Sequence, residues 1–337
     1  MSRQAARPAA GNEETPVIDA STRVLPSAIA GVLSARPVVC EVLDPRFRAL
    51  VMPNAWLETL ANDCRWLEGP VWFADHDMLL VSDVPNDRVL RWTAAGGLSV
   101  QWQPAGFPNG HTRDRQGRLI TCSHGHRHVA RLEIDGRQTV LAAHYRGKRL
   151  NAPNDVVVKS DGSIWFTDPH YGIESDYEGR KATPELPPSV YRLDPASGDL
   201  DRVADDFDGP NGLCFSPDER RLYVSESGTQ FAPDPARHIR VFDVGESPRW
   251  LTRGRVFHTV SPGYADGFRC DMDGNLWTSA GDGVQCIDSS GVLLGRLQLP
   301  AAISNLTFGG PARSRLFLCA GRELYALTVN ARGCQWP

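Results

Sequence analysis

The sequence predicts an all-β fold, a six-bladed β-propeller of four-stranded antiparallel blades, on three observations. A strand-turn-strand unit recurs six times, hairpin residues separate its strands, and no stretch carries the apolar period of an amphipathic helix. The second strands of the units align as MLLVSD, RLITCS, SIWFTD, RLYVSE, NLWTSA and RLFLCA. Turn segments such as DRQGR, KSDGS, SPDER and MDGN precede them, where Asp, Gly and Asn adopt the conformations a tight hairpin needs. Third strands follow as RVLRW, HVARLE, SVYRLD, IRVFD, GVQCID and ELYAL.

First strands start at Gly69, Gly110, Asp155, Gly212, Gly267 and Asn305, at intervals of 41, 45, 57, 55 and 38 residues, which is blade length. The last unit supplies only three strands, so a segment ahead of Glu68, about residues 57–63, is expected to complete that blade and remove its free edge. Residues 1–34, rich in Ala, Pro and Ser, read as an N-terminal arm. Residues 35–337 read as the propeller, with blades starting near 68, 109, 154, 211, 266 and 304.

Composition narrows the function. Lys plus Arg total 36 against 40 Asp plus Glu, without a block of one sign, so the basic footprint of a nucleic-acid binder is missing. No apolar run approaches the roughly 20 residues that span a bilayer. The first residues lack the apolar stretch of a secretory signal, so the expected location is the cytoplasm, or an exported compartment if a leader was trimmed before residue 1. Of eight cysteines, Cys122, Cys214, Cys270, Cys286 and Cys319 lie in apolar strands and are expected as small buried hydrophobes. Cys40, Cys64 and Cys334 lie near the chain ends, where spacing leaves a bridge open. A closed propeller presents no edge strand, so a monomer is the default, with a dimer possible through the arm.

Antiparallel topology brings the entry to each first strand onto the same face as the loop between second and third strands. The residues at those entries are Glu68, Asn109, Asn154, Asn211, Asp266 and Asn305. As turn formers they would be unremarked singly, but one polar residue recurs in register in all six repeats, and Glu68 is no turn former. Oxygen-only donors of this type suit a hard cation, Ca²⁺ or Mg²⁺, in the central channel.

The segments LEGPVW, LNAPNDVVVKSDGSIWFTD, GPNGLCFSPDERRLYVSES, ADGFRCDMDGNLW and ISNLTFGG resemble those of the gluconolactonase and senescence-marker-protein (regucalcin) family, over roughly residues 66–329. The resemblance implies a six-bladed propeller with one divalent cation in its channel, Ca²⁺ first with Mg²⁺ or Zn²⁺ as alternatives, that hydrolyses a small-molecule sugar lactone. Carried over by motif, the metal ligands are Glu68, Asn154, Asn211 and Asp266, with Asp266 also the catalytic base that takes a proton from the attacking water. Where the animal branch carries an Arg that contacts substrate hydroxyls, this chain has Ala152, so Arg149 or Asn151 is expected to substitute, and the bacterial gluconolactonase branch is the nearer match. The alternatives are a phosphotriesterase or another lactonase on the same scaffold, or a non-catalytic ligand-binding propeller.

Loops of the same face complete the expected pocket. In SHGHRH, His124 is expected to line it, with Asn109 beside it as a substrate contact, and His126 and His128 are expected at the surface. The insertion at residues 169–188 is too polar for a core and is expected over the mouth, with Tyr171 as its substrate contact. Asp168 and Glu226 end second strands on that side and read as hairpin caps or orienting groups. No Gly-x-Ser-x-Gly elbow and no phosphate-binding glycine loop occurs, which argues against a serine hydrolase and a nucleotide cofactor.

Overall fold

A computed structural model describes residues 31–228, 236–247 and 250–335. Six antiparallel sheets form the six blades of a β-propeller. Blade 1 runs Leu67–Phe73, Met78–Asp83, Arg88–Thr93 and Gly97–Trp102; blade 2 Pro108–Arg113, Leu119–Ser123, His128–Leu132 and Gln138–Ala142. Blade 3 runs Val156–Val158, Ile164–Asp168, Ser189–Leu193 and Leu200–Ala204; blade 4 Pro210–Phe215, Arg221–Glu226, His238–Val244 and Leu251–Thr259. Blade 5 is Phe268–Cys270, Leu276–Ala280, Gly283–Ile287 and Leu293–Gln298, and blade 6 starts with Asn305–Gly309, Arg315–Ala320 and Glu323–Thr328. The first strands neighbour one another in a ring that closes from blade 6 back to blade 1.

Trp56–Ala61 supplies the fourth strand of blade 6, as the missing strand in the sequence required. The residues ahead of it do more than expected. Ser34–Pro37 adds a fifth strand to blade 6 and Val39–Val42 a fifth to blade 5, so one short stretch of chain latches two neighbouring blades at their outer edges. Phe47, fully buried, wedges beneath this latch against Trp277 with ring centroids 6.1 Å apart. Most of the expected arm, residues 1–30, lies outside the described residues.

A recurrent aromatic register seals the blades. An aromatic near the start of the second strand meets the first strand of the next blade: Trp165 against Phe215 at 5.5 Å, Trp277 against Phe308 at 6.0 Å, and Phe317 against Trp72 at 5.1 Å between centroids. Each fully buried ring stabilises by about 1.5–3 kcal/mol, and the edge-on or offset geometry adds to it. The five strand cysteines are buried in these layers, and Cys64 is buried with them. All eight cysteines are free, so Cys40, Cys64 and Cys334 form no bridge.

The polar residues at the mouth are held by backbone contacts between blades. The hydroxyls of Ser82, Thr167 and Ser225, one residue before the end of their second strands, donate to the carbonyls of Asn109 (2.7 Å), Asn211 (2.7 Å) and Asp266 (3.0 Å) in the next blade. Gly110 N–H donates to the Asn154 carbonyl at 2.7 Å, and Gly212 N–H to that of Asp266 at 3.2 Å. Such approach leaves no room for a side chain: a Cβ on Gly212 would lie 2.1 Å from the Asp266 carbonyl oxygen, and one on Gly69, which has φ +54°, would lie 2.0 Å from that of Asn109. The glycines that follow these mouth residues therefore serve strand packing. Bulges between Glu68 and Val71, Pro108 and His111, and Pro210 and Leu213 sit at the same place in three first strands and re-aim the residue at the mouth.

Carboxylates at the ends of second strands tie down the loops that enter the first strands. Asp83 accepts the N–H groups of Arg65 (2.9 Å) and Trp66 (3.2 Å), and Glu226 those of Gly209 (2.8 Å), Asp208 (3.0 Å) and Gly228 (3.0 Å). Asp168 accepts the N–H of Asn151 at 2.9 Å. Burial pushes the Asp168 carboxyl up to about 7, with hydrogen bonds from the Asn151 and Ala152 backbone only partly opposing it.

Two outcomes follow for stability. Gly69→Ala must displace backbone at a left-handed position, and should cost at least ~1–3 kcal/mol in urea unfolding, with a matching fall in melting temperature. Because the folded-state pKa of Asp168 is raised, the native chain holds its proton longer than the unfolded chain, and its contribution falls as pH rises from the ordinary carboxylate range to about 7. The unfolding free energy of the wild type minus that of Asp168→Asn should therefore decrease from pH 4 to pH 7; a difference that is flat or grows over this range contradicts the assignment.

Candidate active site

The ring of first strands opens at one face into a cavity of about 660 Å³. Its walls include Glu68, Asn109, Asn154, Asn211 and Asp266, brought together from five blades by the carbonyl contacts described above. Asn305, the sixth of the series, stands behind them and donates its Nδ2 to Glu68 Oε2 at 3.0 Å, which sets the direction of that carboxylate. Asn211 Nδ2 reaches Ser227 Oγ at 3.3 Å, and Ser227 in turn donates to the Ala265 carbonyl at 2.8 Å.

Electrostatics single out the two acids. Burial, reinforced by the charges of Glu68 and Asp155, holds the Asp266 carboxyl far above the usual carboxylate range. Burial also raises Glu68, against the hydrogen bonds from Asn305 and the Gly69 N–H. Deeper in the channel Asp155 faces Arg269 at 3.6 Å, but among the described residues no Lys or Arg lines the cavity itself. Two buried carboxylates without a cationic side chain, flanked by the amides of Asn154 and Asn211, make a donor set suited to a hard divalent cation. No cluster of three or more His, Cys, Asp or Glu with metal-holding geometry occurs among the described residues, since half of this set is amide.

His124 is buried completely and stands behind Asn109 instead of lining the cavity. Its Nδ1 lies 2.9 Å from the Glu178 carbonyl, which can only accept, so Nδ1 carries the proton. Nε2 then accepts from Asn109 Nδ2 at 3.1 Å, and burial lowers the imidazole pKa and keeps the ring neutral. The result orients Asn109, whose buried Oδ1 has no hydrogen-bond partner among the described residues. His126 is exposed as expected, whereas His128 is buried and packs on it with centroids 5.1 Å apart.

The two residues expected to replace a substrate-binding arginine lie elsewhere. Asn151 is buried in the loop ahead of blade 3, its Nδ2 donating to the carbonyls of Asp168 (3.3 Å) and Leu186 (3.1 Å). Arg149 is exposed and donates to the His126 carbonyl at 3.1 Å. Neither lines the cavity. One turns into the protein and the other to solvent, and spacing in sequence carries no sign of that direction.

The insertion at residues 169–188 forms one wall. It opens with the helical turn Tyr171–Glu174, and it buries Tyr171, Ile173 and Leu186, so it has more apolar anchoring than its composition suggested. Tyr171 lines the cavity, with its hydroxyl between the Gly228 (2.9 Å) and Gly209 (3.1 Å) carbonyls and thus engaged with the wall. The insertion crosses blade 2 at the Glu178–His124 contact and reaches blade 1, where Tyr177 packs under the Arg65 guanidinium at 5.3 Å. Sequence reasoning missed Trp66, Tyr177, Glu178 and Tyr264, which also line the cavity. A signal existed for two of them: Trp66 and Tyr264 each stand two residues before a mouth acid.

Comparison with known proteins agrees with this architecture. The family described as SMP-30/Gluconolactonase/LRE-like region matches residues 66–322. A gluconolactonase from Zymomonas mobilis is 31% identical over 315 residues, which are 86% of each chain. A pentonolactonase from Haloferax volcanii is 26% identical over 266 residues, 76% of this chain and 82% of the other. The solved structure of a gluconolactonase from Xanthomonas campestris superposes with a TM-score of 0.81 at 39% identity, covering 91% of this chain and 99% of that one. With its blades and its sequence in agreement, the chain belongs to the SMP-30/gluconolactonase family.

Proposed function

We propose that the protein is a lactonase that opens sugar lactones with the help of one divalent cation, Ca²⁺ first, held by Glu68, Asn154, Asn211 and Asp266. The observation that carries this reading is the convergence of those four side chains on one cavity in which, among the described residues, no Lys or Arg stands beside Glu68 and Asp266. The kinship with a gluconolactonase and a pentonolactonase supports the substrate class. A cation at this position supplies Lewis-acid polarisation of the lactone carbonyl.

The chain's own groups perform the remaining work. The carboxylate of Asp266 takes a proton from the water that attacks the carbonyl carbon and returns it to the ring oxygen as the C–O bond breaks. Its carbonyl is clamped by Ser225 and Gly212, so the side chain starts from a fixed position. Asn109, held by His124, presents its free Oδ1 as an acceptor for a substrate hydroxyl. Tyr171 and the insertion exclude bulk water from the side facing blades 2 and 3.

The test is proton release from glucono-1,5-lactone by protein stripped with chelator and then resupplied with Ca²⁺, Mg²⁺ or Zn²⁺. Activity should vanish on stripping, return with one ion, and fall at least ~10²-fold in Asp266→Ala. The active ion, at 100 times its Kd, should also stabilise the stripped protein by about 2.7 kcal/mol, and Asp266→Ala should lose most of that gain. Full turnover by stripped protein, or by Asp266→Ala, overturns the reading.

A further inference from the structure

The geometry points to the mouth of the cavity as a stacking site for a second ring, so that the preferred substrates are lactones bearing a flat-faced ring beyond the lactone itself. This inference rests on the lactonase reading above and names its substrate class more closely.

Among the described residues four large aromatic side chains are exposed, and three of them line this cavity: Trp66 at 39%, Tyr177 at 48% and Tyr264 at 42%. Large apolar groups left in water at a concave site mark a binding surface. Trp66 stands two residues ahead of Glu68 and Tyr264 two ahead of Asp266, and both line the cavity together with the acid that follows. Ile303 of blade 6, between blades 5 and 1 in the ring, continues the apolar arc from Tyr264 to Trp66.

Two of these rings pack against a cation. The Arg65 guanidinium lies 5.3 Å from the centroid of Tyr177, and that of Arg237 lies 5.3 Å from Tyr264. Each cation anchors its ring while close to half of the ring's surface stays accessible. Little rotamer freedom is then left to lose when a ligand stacks there.

The volume agrees. A cavity of about 660 Å³ equals the space of roughly 22 waters at ~30 Å³ each, well beyond a single six-membered lactone and within the range of drug-sized ligands. Glu68, Asp266 and the amides beside them are buried, where a lactone carbonyl would sit, and the aromatic rings are the exposed part of the lining. A substrate with a polar lactone and a second ring, glycosyl or aryl, matches that division, since both ring types offer a flat C–H or π face to an aromatic.

The experiment compares kcat/KM of the metal-loaded enzyme for glucono-1,5-lactone, cellobiono-1,5-lactone and a phenyl-substituted δ-valerolactone. At least one two-ring substrate should exceed glucono-1,5-lactone, and the ratio should fall about 2- to 10-fold for each ring removed in Trp66→Ala and Tyr264→Ala, mainly through KM. Trp66→Phe and Tyr264→Phe should restore the ratio, which loss of a merely structural side chain would not require. An advantage confined to the cellobiono arm identifies a glycosyl ring, and one confined to the phenyl arm an aryl ring. Turnover of glucono-1,5-lactone with no two-ring advantage, or a ratio unmoved by the alanine variants, overturns this inference and leaves the lactonase reading standing. Absence of turnover with all three lactones overturns both.

Discussion

The active-site face depends on one contact repeated around the channel, a donor in one blade held against the main-chain carbonyl of the mouth residue in the next. Ser82, Thr167 and Ser225 supply hydroxyls, and Gly110 and Gly212 supply N–H groups, to the carbonyls of Asn109, Asn154, Asn211 and Asp266. Each bond is worth on the order of 1 kcal/mol, and its larger effect is geometric. With the carbonyl fixed, the backbone that carries the side chain is fixed at the channel mouth, and the side chain lines the cavity there. Glycine at 69 and 212 is the steric condition for this approach, and the bulges in blades 1, 2 and 4 set the angle.

This rigidity has an electrostatic consequence. Glu68 and Asp266 are brought into one desolvated space, where burial raises both and the charge of Glu68 adds to the rise of Asp266. A fold that optimised stability alone would not place two acids there without a cation, so the ring of hydrogen bonds works against a local repulsion. The amides of Asn154 and Asn211 add oxygen donors without adding charge, which suits a single divalent ion better than four carboxylates would. The neutral His124 has the same logic at second remove: it points Asn109 and brings no charge into the site.

Outside this ring the chain varies its loops, and these shape what the cavity accepts. The blade 3 insertion is anchored by Tyr171, Ile173 and Leu186, crosses blade 2, and ends its reach at Arg65 on blade 1. Opposite, the latch of Ser34–Pro37 and Val39–Val42 binds blades 5 and 6 at their outer edges, far from the channel. Binding chemistry and closure of the propeller are thus carried by separate segments, so the rim can change without loosening the ring.

The blade count, the fourth strand of blade 6 and the converging mouth residues were all legible in the sequence, because they rest on local signals: strand alternation, turn residues, and one polar residue recurring in register. The roles of His124, Asn151, Arg149 and His128 were not legible, since each depends on which way a loop side chain turns and on what packs against it from elsewhere. His124 is buried only because the insertion, 54 residues downstream at Glu178, lies across it. The outer strands ahead of Trp56 were hidden for a related reason: four-residue strands with half-exposed faces carry almost no periodic pattern. The sequence by itself determined the repeat and the identity of the donors around the channel, both set by short-range chemistry. Tertiary structure alone decided which neighbouring side chains face the cavity and which aromatics form its rim, because those directions come from contacts between segments far apart in the chain.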